Sequence, residues 1–198
     1  MAGLAEFVKR RRNMALTEST MLELGTIAPD FVLTDVVNGE TVRRDDFRGK
    51  QALLVLFICA HCPYVKHIEK SLGQLGADYE DKPLAIVAIS SNDVKTHPAD
   101  SPEGLRQQAH DNDFDFPYLY DESQYVAHAY KAACTPDPYL FDADFRLVYR
   151  GQYDDSRPGN GIPVTGKDLR AAIDLVLVGK PVPAEQKPSI GCNIKWKA

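Results

Sequence analysis

The chain has no basic excess, no long apolar run and no internal repeat or low-complexity segment, and each shortage removes a class of function. Its 198 residues hold 23 lysines and arginines against 28 aspartates and glutamates, a formal net charge of −5. That balance argues against a nucleic-acid binder. The longest apolar stretch, Ala52 to Ala60, falls far short of the roughly 20 residues that a membrane-crossing helix needs. The one basic run, Lys9-Arg10-Arg11-Arg12, lies in a segment without an apolar core and does not read as a secretory signal. It reads as a solvated, frayed terminus, and Met14 offers a second plausible start. No glycine-rich phosphate loop or dinucleotide fingerprint is present, so no cofactor is expected. The aromatics of Phe114-Asp115-Phe116-Pro117-Tyr118 read as core packing before a strand. The expected compartment is cytoplasmic, where glutathione and thioredoxin keep thiols reduced.

Against these shortages stands one dense segment. Leu53-Leu54-Val55-Leu56-Phe57-Ile58 is a buried-strand pattern that ends at Cys59, with Cys62 three positions on and Pro63 after it. Proline suits the first position of a helix, so the two cysteines straddle a strand-to-helix junction. Free backbone N–H groups and the helix dipole favour a negative charge there, and the thiolate is the reactive form of cysteine. In a reduced compartment such a pair points to catalysis rather than architecture. The outer sulfur, Cys59, is expected to be the more exposed and more acidic and to act as nucleophile, with Cys62 as the shielded resolving thiol. His61 can place an imidazole near the Cys59 thiolate, lower its pKa and bias the pair toward an oxidising poise.

Around this junction the pattern is mixed α/β. Phe31-Val32-Leu33 and Glu40-Thr41-Val42 flank Asn38-Gly39, a hairpin signal. Val65, Ile68, Leu72, Leu75 and Tyr79 form one apolar helical stripe, and Leu84 to Ile89 reads as a second buried strand, giving a β-α-β unit. Ser90 to Pro102 reads as a polar loop. Helices are expected over 103–113 and 122–131, and a strand pair around 142–144. A last helix is expected from Thr165, with Asp168 completing a weak capping box. Pro181, Pro183 and Pro188 predict an extended tail over the surface. The expected organisation is an N-terminal tail over 1–24, partly flexible, one redox domain over 25–180, and a C-terminal tail over 181–198 that packs back on the domain.

Thr135-Pro136 stands just before the Tyr139-Leu140-Phe141 strand. A cis proline there would offer Thr135's backbone to an extended substrate, although an ordinary trans turn is the base-rate reading. A zinc site competes for the same side chains, since Cys59, Cys62, Cys134, Cys192, His61 and His67 include enough ligand types. No second Cys-x-x-Cys or paired histidine motif supports it, and no metal is expected.

Several motifs together resemble a known family. They are Gly25-Thr26-Ile27-Ala28-Pro29-Asp30-Phe31, Asp46-Phe47-Arg48-Gly49-Lys50, Phe57-Ile58-Cys59-Ala60-His61-Cys62-Pro63-Tyr64-Val65 and Cys134-Thr135-Pro136-Asp137. They continue with Tyr153-Asp154-Asp155-Ser156-Arg157-Pro158-Gly159-Asn160 and Gly191-Cys192-Asn193-Ile194-Lys195-Trp196-Lys197. The chain resembles the thioredoxin-fold AhpC/TSA (redoxin) superfamily, in its peroxiredoxin-like branch with a Cys-x-x-Cys. The resemblance implies an α/β, thioredoxin-like fold: a central mixed β-sheet with helices on both faces, an N-terminal β-hairpin extension and a C-terminal extended tail. It also implies catalytic Cys59 and Cys62, with a cis Pro136 facing them. Cys134, two residues before that proline, is a candidate third thiol, and the Cys192 tail is a candidate to fold over the same site. Arg157 could offer a positive charge to a thiolate or anionic substrate; a salt bridge to a nearby aspartate is the plainer reading. Peroxiredoxins carry a proline and a threonine or serine ahead of their cysteine, where this chain has Ala52 and Leu56. Leu53 stands where thioredoxin buries an acidic group.

The expected function is thiol–disulfide exchange. Its partners would be protein or small-molecule thiols and disulfides, with a thioredoxin- or glutathione-type reductant, and neither nucleic acid nor membrane. Two alternatives are a peroxiredoxin-like thiol peroxidase with antioxidant activity, and a non-catalytic redox-sensing or zinc-binding module.

Overall fold

The computed structural model describes residues 16–198, so the basic run, Met14 and the first fifteen residues of the expected 1–24 tail lie outside the described residues. Ala52–Phe57 (β4) is apolar and buried at every position, and it takes the interior of the sheet. Leu84–Ser90 (β5), equally buried, runs parallel to it, with Pro63–Tyr79 (α1) as the crossover. Tyr118–Tyr120 (β6) continues in parallel beyond β5. Val32–Asp35 (β2) and Thr41–Arg43 (β3) form the hairpin, whose turn carries Gly39 at φ 79°, and β2 joins the sheet antiparallel to β6. On the other side of β4 run Asp137–Asp142 (β8) and Leu147–Tyr149 (β9), both antiparallel to their neighbours. The order is β3-β2-β6-β5-β4-β8-β9.

Strand alternation divides the core in two. Leu54, Leu56, Ile86 and Leu140 pack with the α1 stripe, with Leu105 of Pro102–Asp111 (α2) and with Leu169 and Ile173 of Lys167–Leu177 (α4). Leu53, Val55, Phe57, Val87 and Phe141 pack on the opposite face with Val126 of Tyr125–Ala129 (α3), Tyr130, Phe31 and Phe145. This is the mixed sheet with helices on both faces that the resemblance implies, and the α1 stripe is buried at all five expected positions.

Three details differ from expectation. The α3 helix is shorter than 122–131 because left-handed Gln124 (φ 63°) and Lys131 (φ 51°) bracket it. At the start of α4 the Thr165 and Gly166 amides are taken by the Asp154 carboxylate at 2.7 Å, not by a Thr165/Asp168 box. The tail runs exposed through much of 181–187, then packs back on the domain as expected, but as a paired strand and not as a segment extended over the surface. Ile190–Asn193 (β10) is the middle of a small second sheet, between Leu16–Glu18 (β1) and Cys134–Thr135 (β7), antiparallel to both. Gly191 permits the inward turn, because a Cβ there would lie 2.0 Å from the Thr135 carbonyl oxygen. Cys192 and Ile194, alternate residues, enter the two different halves of the core. Among the described residues, no helix is long and apolar enough to cross a membrane.

Candidate active site

Where β4 ends, the chain turns through Cys59 to Cys62, which caps α1 with extended backbone while Pro63 opens the helix. The Cys62 carbonyl accepts the Lys66 amide at 2.9 Å, so the helix is engaged from its first turn. Both sulfurs converge on Thr135, whose bond to Pro136 is cis as the resemblance implies. The Cys59 Sγ lies 3.3 Å from the Thr135 hydroxyl, and the Cys62 Sγ 3.2 Å from its carbonyl oxygen. A third sulfur joins them: Cys192 Sγ is 2.8 Å from Cys62 Sγ.

This arrangement corrects two expectations. Cys59 is not the more exposed thiol, since both it and Cys62 are fully buried. Nor is the Thr135 backbone open to an extended substrate, because Cys192 already stands opposite it in the β10–β7 pairing. The tail, whose Cys192 the sequence makes a candidate to fold over this site, fills the edge that cis-Pro136 would otherwise present.

Acidity follows the packing. Burial pushes the Cys59 thiol well up, helped by Cys62 and by the Asp100 charge, while the Thr135 hydroxyl pulls the other way. Cys62 is held far below the usual thiol range, chiefly by the neighbouring Cys192 thiol and then by Cys59. Cys192 is raised in return, first by Cys62 and then by burial. In this closed, reduced form Cys62 is the favoured thiolate, the reverse of the order expected from helix geometry alone.

Sequence reasoning missed Asp100. It lies in a short turn, Pro98–Asp100, within the polar loop after β5, and its side chain is fully buried. Its Oδ1 accepts the amides of Ala60 (2.9 Å) and His61 (3.0 Å), and its Oδ2 bonds His61 Nδ1 (2.5 Å) and Asn92 Nδ2 (2.8 Å). The turn between the two cysteines is therefore clamped by one carboxylate from the neighbouring loop. His61 faces Asp100 and lies against the His97 ring, with centroids 4.4 Å apart. On the other side of Cys59, Gln108 Nε2 donates to its carbonyl at 3.3 Å and to Glu69 at 3.0 Å.

The remaining expected residues divide. Cys134 is buried, but its sulfur approaches the Pro136 carbonyl at 3.7 Å, and burial pushes its thiol far up. Cys192, not Cys134, meets the dithiol. Among the described residues Arg157 makes no bond to an aspartate carboxylate: its guanidinium donates to the backbone carbonyls of Asp154 and Ser156 and to Gln152 Oε1. It lines a small cleft with Tyr64, His67, Pro136 and Ser189, and the buried His67 Nε2 has no partner there. Of the ligand types considered for zinc, the structure groups Cys59 and His61 with Asp100, all within 4.8 Å of one another. The Asp100 oxygens are already engaged by the four donors above.

The AhpC/TSA family matches residues 24–150. The thiol-disulfide oxidoreductase ResA of Geobacillus kaustophilus is 29% identical over 126 residues, 64% of this chain and 67% of that protein. A crystal structure of an uncharacterized conserved protein from Geobacillus kaustophilus is 55% identical, with a TM-score of 0.90 over 93% of this chain and 97% of that one. The thioredoxin domain of a thiol-disulfide oxidoreductase from Bacteroides vulgatus, 19% identical, shares the fold at a TM-score of 0.62, covering 79% of this chain and 99% of that one.

Proposed function

We propose, for a chain that belongs to the AhpC/TSA family, thiol–disulfide exchange at Cys59 and Cys62. The observation that carries this reading is the convergence of both sulfurs on Thr135, directly before cis-Pro136. Partly exposed Ala60, His61 and Tyr64 form the rim through which a substrate sulfur reaches the pair. Cys59 passes its proton to the neighbouring Cys62 thiolate and attacks a substrate disulfide, forming a mixed disulfide and expelling one substrate thiolate; Cys62 gives up that proton to the departing thiolate. Cys62 then attacks Cys59 Sγ, releasing the second substrate thiolate and leaving a Cys59–Cys62 disulfide. A cytoplasmic thioredoxin- or glutathione-type dithiol or thiol reduces it again. Asp100 keeps the Ala60–His61 turn in one conformation, so the two sulfurs keep their relation to Thr135. The similarity to proteins named thiol-disulfide oxidoreductases supports the same chemistry at the level of the family.

The test is reduction of a small aromatic disulfide by the dithiothreitol-recycled protein. Cys59→Ser is expected to lose the activity, and Cys62→Ser to stall as a mixed disulfide on Cys59. Full activity in Cys59→Ser overturns the reading. One observation favours a peroxidase as second reading: the Thr135 hydroxyl beside Cys59 supplies from another strand the group missing at Leu56. Cys59 would then become a sulfenic acid with which Cys62 condenses. Hydrogen peroxide consumption in the same preparation separates the two.

A further inference from the structure

We infer that Cys192 is a third redox thiol, which takes Cys62 into a second internal disulfide and so frees Cys59. The inference rests on the Cys59–Cys62 exchange proposed above. Its first support is reach: the Cys62 and Cys192 sulfurs are 2.8 Å apart, so less than about 1 Å of movement separates them from the roughly 2.05 Å of a disulfide bond. The second is placement. Cys192 is the direct strand partner of Thr135, the residue that also meets the other two sulfurs, so one residue gathers all three.

The third support is that the tail is fastened on every side of the sulfur. Leu16 pairs with Cys192 from the opposite strand. The Ser19 amide donates to the Ser189 carbonyl at 2.9 Å, and the Ser189 hydroxyl to the Pro136 carbonyl at 2.6 Å. Beyond Cys192, the Ile194 amide donates to the Ala133 carbonyl at 3.0 Å and the Lys195 amide to Asn92 Oδ1 at 2.8 Å. Asn92 in turn donates to Asp100, so the strand carrying Cys192 and the clamp on the Cys59–Cys62 turn share one hydrogen-bonded chain. At 2% exposure Cys192 is sheltered from chance oxidants and faces Cys62.

The step conserves atoms and electrons. In the oxidised protein the Cys192 thiolate attacks Cys62 Sγ, the Cys192–Cys62 bond forms, and the Cys59–Cys62 bond breaks. Its electron pair leaves on Cys59 Sγ, which takes the proton that Cys192 lost. One disulfide is exchanged for another and no external oxidant is consumed. Cys59 emerges as a free thiol while the two-electron oxidation is stored between α1 and the tail.

The experiment uses the full chain. Fully reduced protein receives one equivalent of a small aromatic disulfide, is quenched with acid at intervals, alkylated, and mapped by mass spectrometry. Peptides joined through Cys59–Cys62 and through Cys62–Cys192 are both expected, with Cys59 alkylated in the second population. Cys192→Ser should lose the second cross-link, keep the first, and lose Cys59 alkylation in the oxidised form. Cys192 alkylated at every interval in the wild-type protein, while Cys59–Cys62 accumulates, overturns the inference and leaves the exchange reading standing. If no Cys59–Cys62 disulfide forms and no disulfide is reduced, both fail. The wild-type map decides the matter even if the serine variant does not fold.

Discussion

Two aspartates near the end of β4 are shut away from water, and their surroundings are opposite. Asp100, beside the Cys59–Cys62 turn, is surrounded by donors: two amides, an imidazole nitrogen and a carboxamide. Asp137, opposite Phe57 in the β4–β8 pairing, bonds the Tyr139 hydroxyl at 2.9 Å and the Ala133 amide at 3.4 Å through Oδ2, and the Ser19 side chain and the Cys134 backbone also favour its charged form, but its Oδ1 has no hydrogen-bond partner. Burial pushes the Asp137 carboxyl up to about 7. Burial alone thus does not decide what a carboxylate does; whether both of its oxygens are bonded does. One aspartate organises a reactive turn, and the other is a liability that the fold tolerates.

Substitution should separate the two. Asp100→Ala removes the fully buried acceptor of four donors and is expected to cost about 3–5 kcal/mol in urea unfolding, with loss of disulfide reduction. A cost below about 1 kcal/mol, which is ordinary for a surface site, would break the contrast. Asp137→Asn should act in the other direction. The folded carboxyl titrates near 7 against 3.8 for an unperturbed one, so the folded state binds the proton more tightly. Its contribution to stability is full below 3.8 and is lost as pH rises through about 7. An asparagine does not titrate, so the variant should gain on the wild type between those limits, by up to about 4 kcal/mol at the alkaline end. Parallel melting curves from pH 4 to 8 would refute this. A smaller effect sharpens the comparison from the tail: Gly191→Ala forces a methyl toward the Thr135 carbonyl and should cost about 1–3 kcal/mol. It should also speed alkylation of Cys62, because the strand that covers it is displaced.

Much of the scaffold was legible in sequence because burial writes a period. The unbroken apolar run of β4 and the stepped stripe of α1 state their own faces, and Cys59, Cys62 and Pro63 fall where those two patterns meet. Asp100 was hidden because its partners lie about forty residues away in a loop that reads as merely polar. A signal existed: β4 and β5 are parallel, so the loops after them emerge side by side at the end where such sheets build their sites. The return of the tail to the domain is legible, but its pairing as a strand is not, because its prolines dominate, although Ile190, Cys192 and Ile194 are apolar at alternate positions. The order of thiol acidity was not available locally at all, since it depends on a sulfur 130 positions away.

The small sheet β1-β10-β7 is held by three residue pairs on one side and two on the other. Ladders this short can open while the seven-stranded sheet stays intact, so the region has an opening equilibrium of its own, distinct from global unfolding. The shielding of Cys62 and Cys192 is then a matter of time rather than of static geometry. Any reagent, and any physiological thiol, reaches them at a rate set by how often the last strand lifts and how quickly it settles again.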